Sequence, residues 1–345
     1  MGGGVIGTTC AFRLARSGWR VTLFDPAPGQ GATWAAAGML APLAEIAPGE
    51  KENFRLQHGA IDAWRTVANE LGEFGDVVTL NETGTLLVGY DEGDRRLITQ
   101  FEEVVTSFGA ASRRAQRGDD EPLFQGVSPR VREGLMLDGD AWLDPDEVMS
   151  ALTRANVALG VEVITERVAA ALATERGVEV SAETVTRIGD VGVVATGAEG
   201  LPAGLVEKAR HRVRPVRGMT VRLQGIDRSN AATLRAFVKG RSLYLVSRPG
   251  GYCVLGASSD EQGELAVEVG ELQRLLRDAL LLVPDLECAT FLETRQGLRP
   301  ASADLAPFVE VVANKWIWTS GHYRHGVTLA PLTATAVLEL AEKIA

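Results

Sequence analysis

The stretch GGGVIG at residues 2–7, followed by an apolar helical run and by VTLFD at residues 21–25, decides the fold. Its glycines have the G-x-G-x-x-G spacing, and an aspartate ends the apolar run about twenty residues further on. This layout is typical of the first βαβ unit of a dinucleotide-binding fold. Turns also collect glycine for steric reasons alone. The prediction therefore depends largely on the amphipathic helix and the β-rich run that follow.

The predicted roles of these residues follow from backbone geometry and charge. Gly2 would allow a tight turn, and Gly4 would let a pyrophosphate approach the backbone. Gly7 would let the helix pack close to the sheet. The phosphates would then meet free N–H groups and the positive end of the helix dipole. Asp25 would accept hydrogen bonds from an adenosine ribose, which favours FAD or NAD over a 2′-phosphorylated cofactor.

Only Met1 precedes the glycine-rich turn, although such a turn normally follows a strand. Either this unit lacks its first strand, or the start of the chain lies downstream of the true one. A missing strand would leave an apolar slot in the middle of a parallel sheet, which is costly. We therefore expect the second alternative.

Length and composition limit the class of protein. A chain of 345 residues is long enough for about two domains. Hydrophobic residues make up 46% of it and charged residues 23%, as in ordinary soluble globular proteins. The net charge of −10 and the absence of a Lys/Arg cluster argue against a nucleic-acid partner. The sequence predicts neither a membrane span nor a signal peptide.

The cysteines and histidines predict neither disulfides nor a metal site. Cys10, Cys253 and Cys288 are odd in number and lack metal-ligand spacing, so we expect free thiols in a reducing cytoplasm. The final turn contains His322 and His325, but no companion ligands lie at metal spacing, since His58 and His211 are elsewhere. No arrangement of residues indicates a catalytic nucleophile.

The first half of the chain alternates helical and β-rich patterns. Small residues throughout ATWAAAGMLAP at 32–42 indicate either backbone pressed against a bulky group or a tightly packed helix start, and the segment does not decide between them. Residues 52–74 have helical periodicity, and the runs 77–80 and 85–88 predict a hairpin. An amphipathic helix is expected over 92–110. Residues 111–134, which follow this helix, are charged, contain two prolines and should lie at the surface.

The second half predicts a further sheet and two more glycine-rich turns. A buried strand over 190–197 ends in Gly197, which suits a second close approach to the same cofactor. Alternating runs over 212–256 predict one antiparallel sheet, separate from the parallel one. The remaining expected elements are helices over 145–159 and 267–282, strands over 161–164, 168–172 and 178–180, a hairpin after residue 300 and a helix to residue 344.

The last turn offers a second candidate site. A strand ends in Gly321, a polar loop follows and a helix begins near Gly326. Free N–H groups and the positive dipole end of that helix would stabilise the negative charge of a reduced flavin. An ordinary strand-to-helix turn would have the same pattern.

Two arginines and a tyrosine are candidates for substrate binding. Arg299 and Arg324 follow or lie among glycines, in predicted turns, and a guanidinium holds a carboxylate through two parallel hydrogen bonds. Solvated or ion-paired arginines are the common alternative. Tyr244 lies on a predicted strand, where most tyrosines pack with a hydrated hydroxyl.

Together these stretches resemble the D-amino-acid oxidase family of FAD-dependent amine oxidoreductases. The matching stretches span nearly the whole chain in the expected order. They are GGGVIG at 2–7 with Asp25, ATWAAAGMLAP at 32–42, VVATG at 193–197, LYLVSR at 243–248, GLRP at 297–300 and GHYRHGVTLAP at 321–331.

The resemblance implies α/β and α+β parts. A Rossmann-like FAD-binding domain with a parallel sheet would comprise residues 1–75, 140–205 and 295–345. An inserted substrate-binding domain with an antiparallel sheet would comprise 76–139 and 206–294.

The resemblance also implies a set of cofactor contacts. Val5, Ile6 and Asp25 would hold the adenosine and pyrophosphate, and Val168 would contact the adenine side. Residues 37–39 would line the flavin. The complete implied set is Gly2, Gly4, Val5, Ile6, Gly7, Asp25, Thr33, Ala37, Gly38, Met39, Val168, Gly197, His322, Tyr323, Arg324, His325, Gly326, Val327 and Thr328. FAD would be non-covalent, because no cysteine follows the GLRP stretch.

The implied catalytic residues are Arg299, which would clamp the substrate carboxylate, Arg324, also at the substrate, and Tyr244, which would hydrogen-bond to that carboxylate. The implied reaction oxidises glycine, sarcosine or small D-amino acids and reduces O2 to H2O2. The implied setting is a cytoplasmic homo-oligomer, a tetramer by resemblance, that hands an imine to thiazole synthase in thiamine biosynthesis.

Three alternatives stay open. A D-amino-acid dehydrogenase would pass electrons to a membrane quinone instead of O2. A non-catalytic flavin-binding protein would keep the cofactor site alone. An NAD-dependent dehydrogenase shares the first motif, but it gives no role to residues 32–42, to GLRP or to the final turn, and it is the weakest.

Overall fold

The structure is a computed structural model. It describes residues 1–175, 177–202, 204–205, 213–228, 231–261, 264–313 and 315–345. The α-helices of these residues are α1 (Val5–Arg16), α2 (Ala32–Ala35), α3 (Lys51–Leu56), α4 (Ala60–Gly72), α5 (Glu92–Ser107), α6 (Pro145–Ala158), α7 (Val269–Leu282) and α8 (Gly326–Ile344). Within the described ranges, none of these helices combines the length and the apolar character that crossing a bilayer requires.

The strands belong to a large sheet and to several small ones. They are β1 (Thr22–Phe24), β2 (Met39–Leu40), β3 (Thr85–Gly89), β4 (Arg113–Gln116), β5 (Glu133–Leu137), β6 (Ala141–Trp142), β7 (Glu162–Ile164), β8 (Ala170–Thr174), β9 (Gly177–Ser181), β10 (Thr186–Gly189), β11 (Gly192–Val194), β12 (Val213–Gln224), β13 (Thr233–Val238), β14 (Arg241–Arg248), β15 (Tyr252–Gly256), β16 (Thr290–Ser302), β17 (Phe308–Val312) and β18 (Trp316–Ser320).

The half of the molecule that contains the glycine-rich turn has two short parallel pairs, together with the antiparallel strand β17 and the antiparallel sheet β10-β9-β8. Strand β1 pairs in parallel with β7, and β11 pairs in parallel with β18. The amino group of Met1 donates to Val193 O at 2.7 Å, and Gly2 N–H donates to Phe24 O at 2.9 Å. These bonds tie the start of the chain to both pairs. Helix α1 packs between α6 and α8, which buries its apolar face, with Phe12 fully inaccessible.

An eight-stranded sheet forms the other half. Its strand order is β16-β12-β15-β14-β13-β3-β5-β4. Alternation along β12 places Met219, Val221 and Leu223 in the core cluster shared with α7, whereas Thr220 lies on the opposite, cavity-lining face. The sheet therefore has one face in an apolar core and one face available for a ligand.

Two local predictions were wrong. Residues 77–80 form no strand, and β3 pairs with β5 and β13 instead of forming a hairpin. Val77 is 85% exposed, so this run lacks the burial that a strand partner would give it. The helix expected over 52–74 is divided into α3 and α4, because Gly59 adopts a left-handed conformation with φ of 79°.

The sheet itself is larger and less regular than predicted. Pairing between β13 and β3 is parallel, so the sheet is mixed and not purely antiparallel. Strands β4 and β5 come partly from the segment 111–134 that was expected at the surface, and Phe124 in that segment is fully buried.

The GLRP stretch does not form the predicted turn. Arg299 lies within strand β16, which pairs with β12 along most of its length. Strand β16 also crosses the domain boundary placed at residue 295. The two-domain division stays a prediction, and its residues 206–212, which include His211, lie outside the described part of the chain.

Candidate functional site

A cavity of about 780 Å³ lies between the glycine-rich turn, the segment after α2, the cavity-lining face of the large sheet and the start of α8. Every residue of the predicted site except Gly7 lines it. Gly7 lies beneath the turn, where an added Cβ would collide with the carbonyl oxygen of Gly2. Ligand cavities in proteins measure roughly 300–1,000 Å³, so this cavity has the size of a binding site.

The start of α1 is suited to an anionic group. Gly2 has a φ of 92°, and a Cβ there would collide with the Ala195 carbonyl, so this turn requires glycine. Thr33 Oγ1 accepts the N–H of Val5 at 3.0 Å, while the N–H of Ile6 has no acceptor among the described residues. A free donor at the positive end of a helix favours a phosphate.

Asp25 lies at the end of β1, on the cavity wall. One carboxylate oxygen accepts the N–H of Gly3 at 2.6 Å, and the other accepts the N–H of Ala27 at 2.7 Å. These bonds fix the orientation of the carboxylate. Each oxygen has a further lone pair, so the group still accepts hydroxyl donors.

The segment 34–37 is held against the large sheet through its carbonyl groups. Arg222 donates to Ala36 O at 3.0 Å, Thr220 to Ala35 O at 2.9 Å and Arg248 to Ala37 O at 3.0 Å. Helix α2 is a single turn. A Cβ at Gly38, where φ is 81°, would collide with the Leu143 carbonyl. The backbone of this segment is thus packed closely against the protein's own sheet and the Leu143 carbonyl, and its contact with a bulky group stays a prediction.

The start of α8 also presents donors to the cavity. Its N-cap residue His325 makes no side-chain capping bond, so the first-turn N–H groups are not satisfied by a cap. His322 Nε2 lies 2.9 Å from Thr333 Oγ1. Burial lowers the pKa of His322 to about 4, and burial also lowers the pKa of His325. Both rings are therefore neutral at pH 7, and the helix dipole supplies the positive potential.

Arg299 lies flat across the neighbouring strand. Its guanidinium covers Gly218 of β12, where any Cβ would collide with it. It donates to Ser258 O at 3.3 Å and to Arg217 O at 3.4 Å. Within the described part of the chain, no carboxylate lies at ion-pair distance from Arg299. The guanidinium therefore keeps its charge available to a ligand in the cavity.

Tyr244 also packs against a glycine on a neighbouring strand. Its ring covers Gly256 of β15, and a Cβ there would collide with the ring and its hydroxyl. Burial raises the pKa of Tyr244, while the Arg299 guanidinium opposes that rise. The hydroxyl is therefore a neutral donor at pH 7, close enough to Arg299 to feel its charge.

The sequence analysis did not identify several residues of this region. Glu45 lies 3.4 Å from Arg324 and 3.8 Å from Arg235, and all three line the cavity. Arg324 was a candidate from the sequence, but nothing in the local sequence of Glu45 or Arg235 marks those two residues. Gly218 and Gly256 did carry a signal, because a glycine inside a strand often marks a close approach by another group.

The cavity as a whole fits FAD. One end offers a ribose acceptor and helix N–H groups for a pyrophosphate, and the other offers uncapped N–H groups for the flavin. None of the three cysteines lines the cavity, so the described lining offers no thiol for attachment of the flavin. Among the described residues, no group of three or more His, Cys, Asp or Glu side chains is placed to hold a metal ion.

Comparison with known proteins finds full-length relatives. Glycine oxidase of Bacillus licheniformis is 26% identical over 355 residues, covering 99% of this chain and 91% of that protein. The bifunctional protein ThiO/ThiG of a Synechocystis species is 31% identical over 360 residues, covering 99% of this chain and 50% of that protein. The crystal structure of glycine oxidase from Geobacillus kaustophilus matches with a TM-score of 0.87 at 25% identity, covering 100% of this chain and 94% of that one.

The family match agrees with the cavity. Residues 1–340 match the DAO family, described as FAD dependent oxidoreductase. The fold, the full-length relatives and the phosphate and flavin ends of the cavity all agree with this match. The chain therefore belongs to the DAO family and is an FAD-dependent oxidoreductase.

Proposed function

We propose that the chain catalyses the oxidative deamination of glycine or a similarly small amine, such as sarcosine or a small D-amino acid, to the imine and then the oxo acid, with reduction of O2 to H2O2. The observation that carries the proposal is the guanidinium of Arg299. It has no carboxylate partner among the described residues, and it lies beside Tyr244 on a cavity that fits FAD. Relatives named glycine oxidase support the same substrate class.

The chain contributes positioning. Arg299 binds the substrate carboxylate through a planar pair of N–H donors, and the Tyr244 hydroxyl donates to the same carboxylate. Gly218 and Gly256 keep both side chains flat against the sheet. Holding a small substrate in one orientation removes much of the entropic part of the barrier.

When bound, FAD would supply the redox chemistry: it would accept a hydride, that is two electrons and one proton, from the substrate, and the two electrons with two protons would then reduce O2 to H2O2. The start of α8 stabilises negative charge at the flavin end through its N–H groups and its dipole. The buried neutral His322 and His325 add no charge there. In this proposal no side chain acts as a general base, because the amine enters neutral.

The setting of the reaction is a further part of the proposal. The imine of glycine serves the thiazole part of thiamine and is handed to thiazole synthase. The fused ThiO/ThiG relative supports this link. We also propose that the protein is a homo-oligomer and that it is cytoplasmic. The three free cysteines support the cytoplasm as the compartment.

The test is a visible absorption spectrum of the purified protein, followed by anaerobic addition of glycine and then by air. We expect a yellow flavin band, its bleaching by glycine, and stoichiometric H2O2 once air is admitted. Bleaching without peroxide would favour a dehydrogenase that uses a quinone. A flavin band that none of glycine, sarcosine or D-alanine bleaches would overturn the proposed function.

A further inference from the structure

A β-bulge interrupts the pairing of β12 with the segment that follows β15. Thr220 lies opposite Gly256 at the end of β15. Further along, Arg217 lies opposite Asp260, and this pair exchanges both N–H···O bonds, at 2.8 and 3.1 Å. The segment after β15 therefore contains one residue more than β12 between these two pairs. Bulges are frequent next to active sites, where they change the direction of a group.

Within the bulge, Ser258 pairs with β12 through its side chain. Its N–H donates to Met219 O at 3.2 Å, as in an ordinary antiparallel ladder. In such a ladder the return bond would run from Met219 N–H to the carbonyl of Ser258. Here Met219 N–H donates to Oγ of Ser258 instead, at 3.0 Å. The hydroxyl takes the place of the carbonyl of its own residue, and that carbonyl is released for another donor.

The released carbonyl accepts from Arg299. Nη1 and Nη2 of Arg299 lie 3.3 and 3.4 Å from Ser258 O, and Nη1 lies 3.4 Å from Arg217 O. The Ser258 carbonyl therefore lies at the edge of the guanidinium that its two terminal nitrogens form. Nε of Arg299 has no acceptor among the described residues. The edge formed by Nε and Nη2 is thus left as a pair of parallel donors, which fits a carboxylate.

The far side of the bulge is anchored by a buried ion pair. The buried guanidinium of Arg217 lies 2.9 Å from a carboxylate oxygen of Asp260 and 2.6 Å from one of Glu268. It also donates to Glu264 O at 3.1 Å. Ser258 is consequently held between β15 on one side and this ion pair on the other. Its carbonyl has a fixed position from which to orient Arg299.

We propose that Ser258 is a positioning residue for Arg299. Its hydroxyl satisfies Met219 N–H, its released carbonyl holds the Nη1–Nη2 edge of the guanidinium, and the Nε–Nη2 edge receives the substrate carboxylate. This inference rests on the role given to Arg299 in the proposed function. It adds the residue through which the sheet sets the orientation of that side chain.

The first test is Ser258→Ala. Without the hydroxyl, Met219 N–H donates to the backbone carbonyl of residue 258, and Arg299 loses that acceptor and its orientation. We expect the KM for the amine substrate to rise about three- to tenfold, which is the value of about one hydrogen bond. The kcat should stay within about twofold, because a carboxylate contact is the same in the ground state and the transition state. A purely structural role would lower the urea midpoint of unfolding and leave the KM unchanged.

A second pair of variants separates the hydroxyl from the shape of the side chain. Ser258→Thr and Ser258→Val have the same shape and differ in the hydroxyl alone. The KM should stay near the wild-type value in Ser258→Thr and rise in Ser258→Val. Equal KM values in these two variants would overturn the positioning role, even if Ser258→Ala did not fold.

The matched control is Ser302→Ala. It removes a hydroxyl that donates to Ala306 O at 2.7 Å, outside the cavity lining, and it should leave the KM unchanged. The double variant Ser258→Ala/Arg299→Ala should be no worse than Arg299→Ala, since residues that act through one contact are not additive. Additive effects in this cycle would overturn the inference.

Binding of acetate to the holoprotein, followed through the visible flavin spectrum, tests the same contact without turnover. Ser258→Ala should weaken acetate binding by the same factor as it raises the KM. Amine oxidation with an unchanged KM and unchanged acetate binding in Ser258→Ala would overturn the positioning role and leave the proposed function intact. Failure to oxidise glycine, sarcosine or D-alanine would overturn the proposed function. In that case weaker acetate binding in Ser258→Ala would still support the positioning role, and absent or unchanged binding would overturn it as well.

Discussion

Arg299 lies flat across β12 because position 218 is a glycine, and Tyr244 lies flat across β15 because position 256 is a glycine. In both cases a residue on another strand decides the position of the side chain that we propose to bind the substrate. The geometry of the substrate end is therefore a property of cross-strand pairs, and single substitutions in these pairs test it.

Replacing Arg299 by alanine should raise the KM for the amino-acid substrate steeply while FAD stays bound. Losing a charge-assisted contact costs about 1.5–3 kcal/mol, which corresponds to a rise of about 10- to 150-fold. Steady-state kinetics measures the KM, and the flavin absorbance of the same sample measures the bound FAD. Arg96→Ala serves as the exposed control. An unchanged KM would remove Arg299 from substrate binding.

Replacing Gly218 by alanine should have a related effect without touching the guanidinium, because a methyl group would displace Arg299 from β12. We expect a rise in KM of about tenfold or more. The double variant Gly218→Ala/Arg299→Ala should be no worse than Arg299→Ala alone, since residues that act through one contact are not additive. Additive effects in this cycle would show that Gly218 acts independently of Arg299.

His322 should make the protein sensitive to acid. Its folded pKa of about 4 lies below the ordinary value of 6.5, so its contribution to stability is complete above pH 6.5 and is lost as the pH falls towards 4. The loss amounts to about 3 kcal/mol. Urea unfolding at pH 7 and pH 4.5 should show a smaller decrease for His322→Gln than for the wild type. The exposed His58→Gln should follow the wild type.

At the scale of elements, the segment 34–37 is bound to the large sheet by side chains of β12 and β14. Arg222→Met should release the carbonyls of Trp34 and Ala36 and loosen the wall of the flavin end. We expect the FAD dissociation constant to rise about tenfold, and the free energy of unfolding to fall by about 2 kcal/mol. Equilibrium dialysis and urea unfolding measure these, with exposed Arg114→Met as the control. Unchanged FAD affinity would contradict the role of this anchor.

Elements defined by local signals were predicted well from the sequence. Helix α6 begins at Pro145, where the helix was predicted to begin, with Asp144 as its N-cap, and it ends one residue before the predicted limit. The hairpin predicted from residues 77–80 and 85–88 was wrong because the pairing partners of β3 lie about 50 and 150 residues away in the sequence. No local pattern encodes such pairing.

The same distinction applies to the site. The sequence predicted the glycine-rich turn and the aspartate after β1, because their geometry is local to one turn. Glu45 and Arg235 are 190 positions apart in the sequence, and only the tertiary fold brings them within 3.8 Å. Charged side chains of this kind usually lie in solvent, so their burial could not be read from composition.

For the whole molecule, FAD binding and folding should be linked, because the cavity takes its walls from both halves. A ligand at 100 times its dissociation constant stabilises the folded state by about 2.7 kcal/mol. We expect the Tm of the holoprotein to exceed that of the apoprotein by several degrees and to rise with FAD concentration. Differential scanning calorimetry of both forms measures this, and a Tm independent of FAD would contradict it.

The carbonyl anchors of residues 34–37 also limit how this scaffold is engineered. A chimera that joins this nucleotide-binding half to a foreign substrate sheet would lack the donors at Thr220, Arg222 and Arg248. Its flavin wall would then be left with unbonded carbonyls. Any graft of a new substrate sheet onto this half must therefore transplant those three side chains together with it.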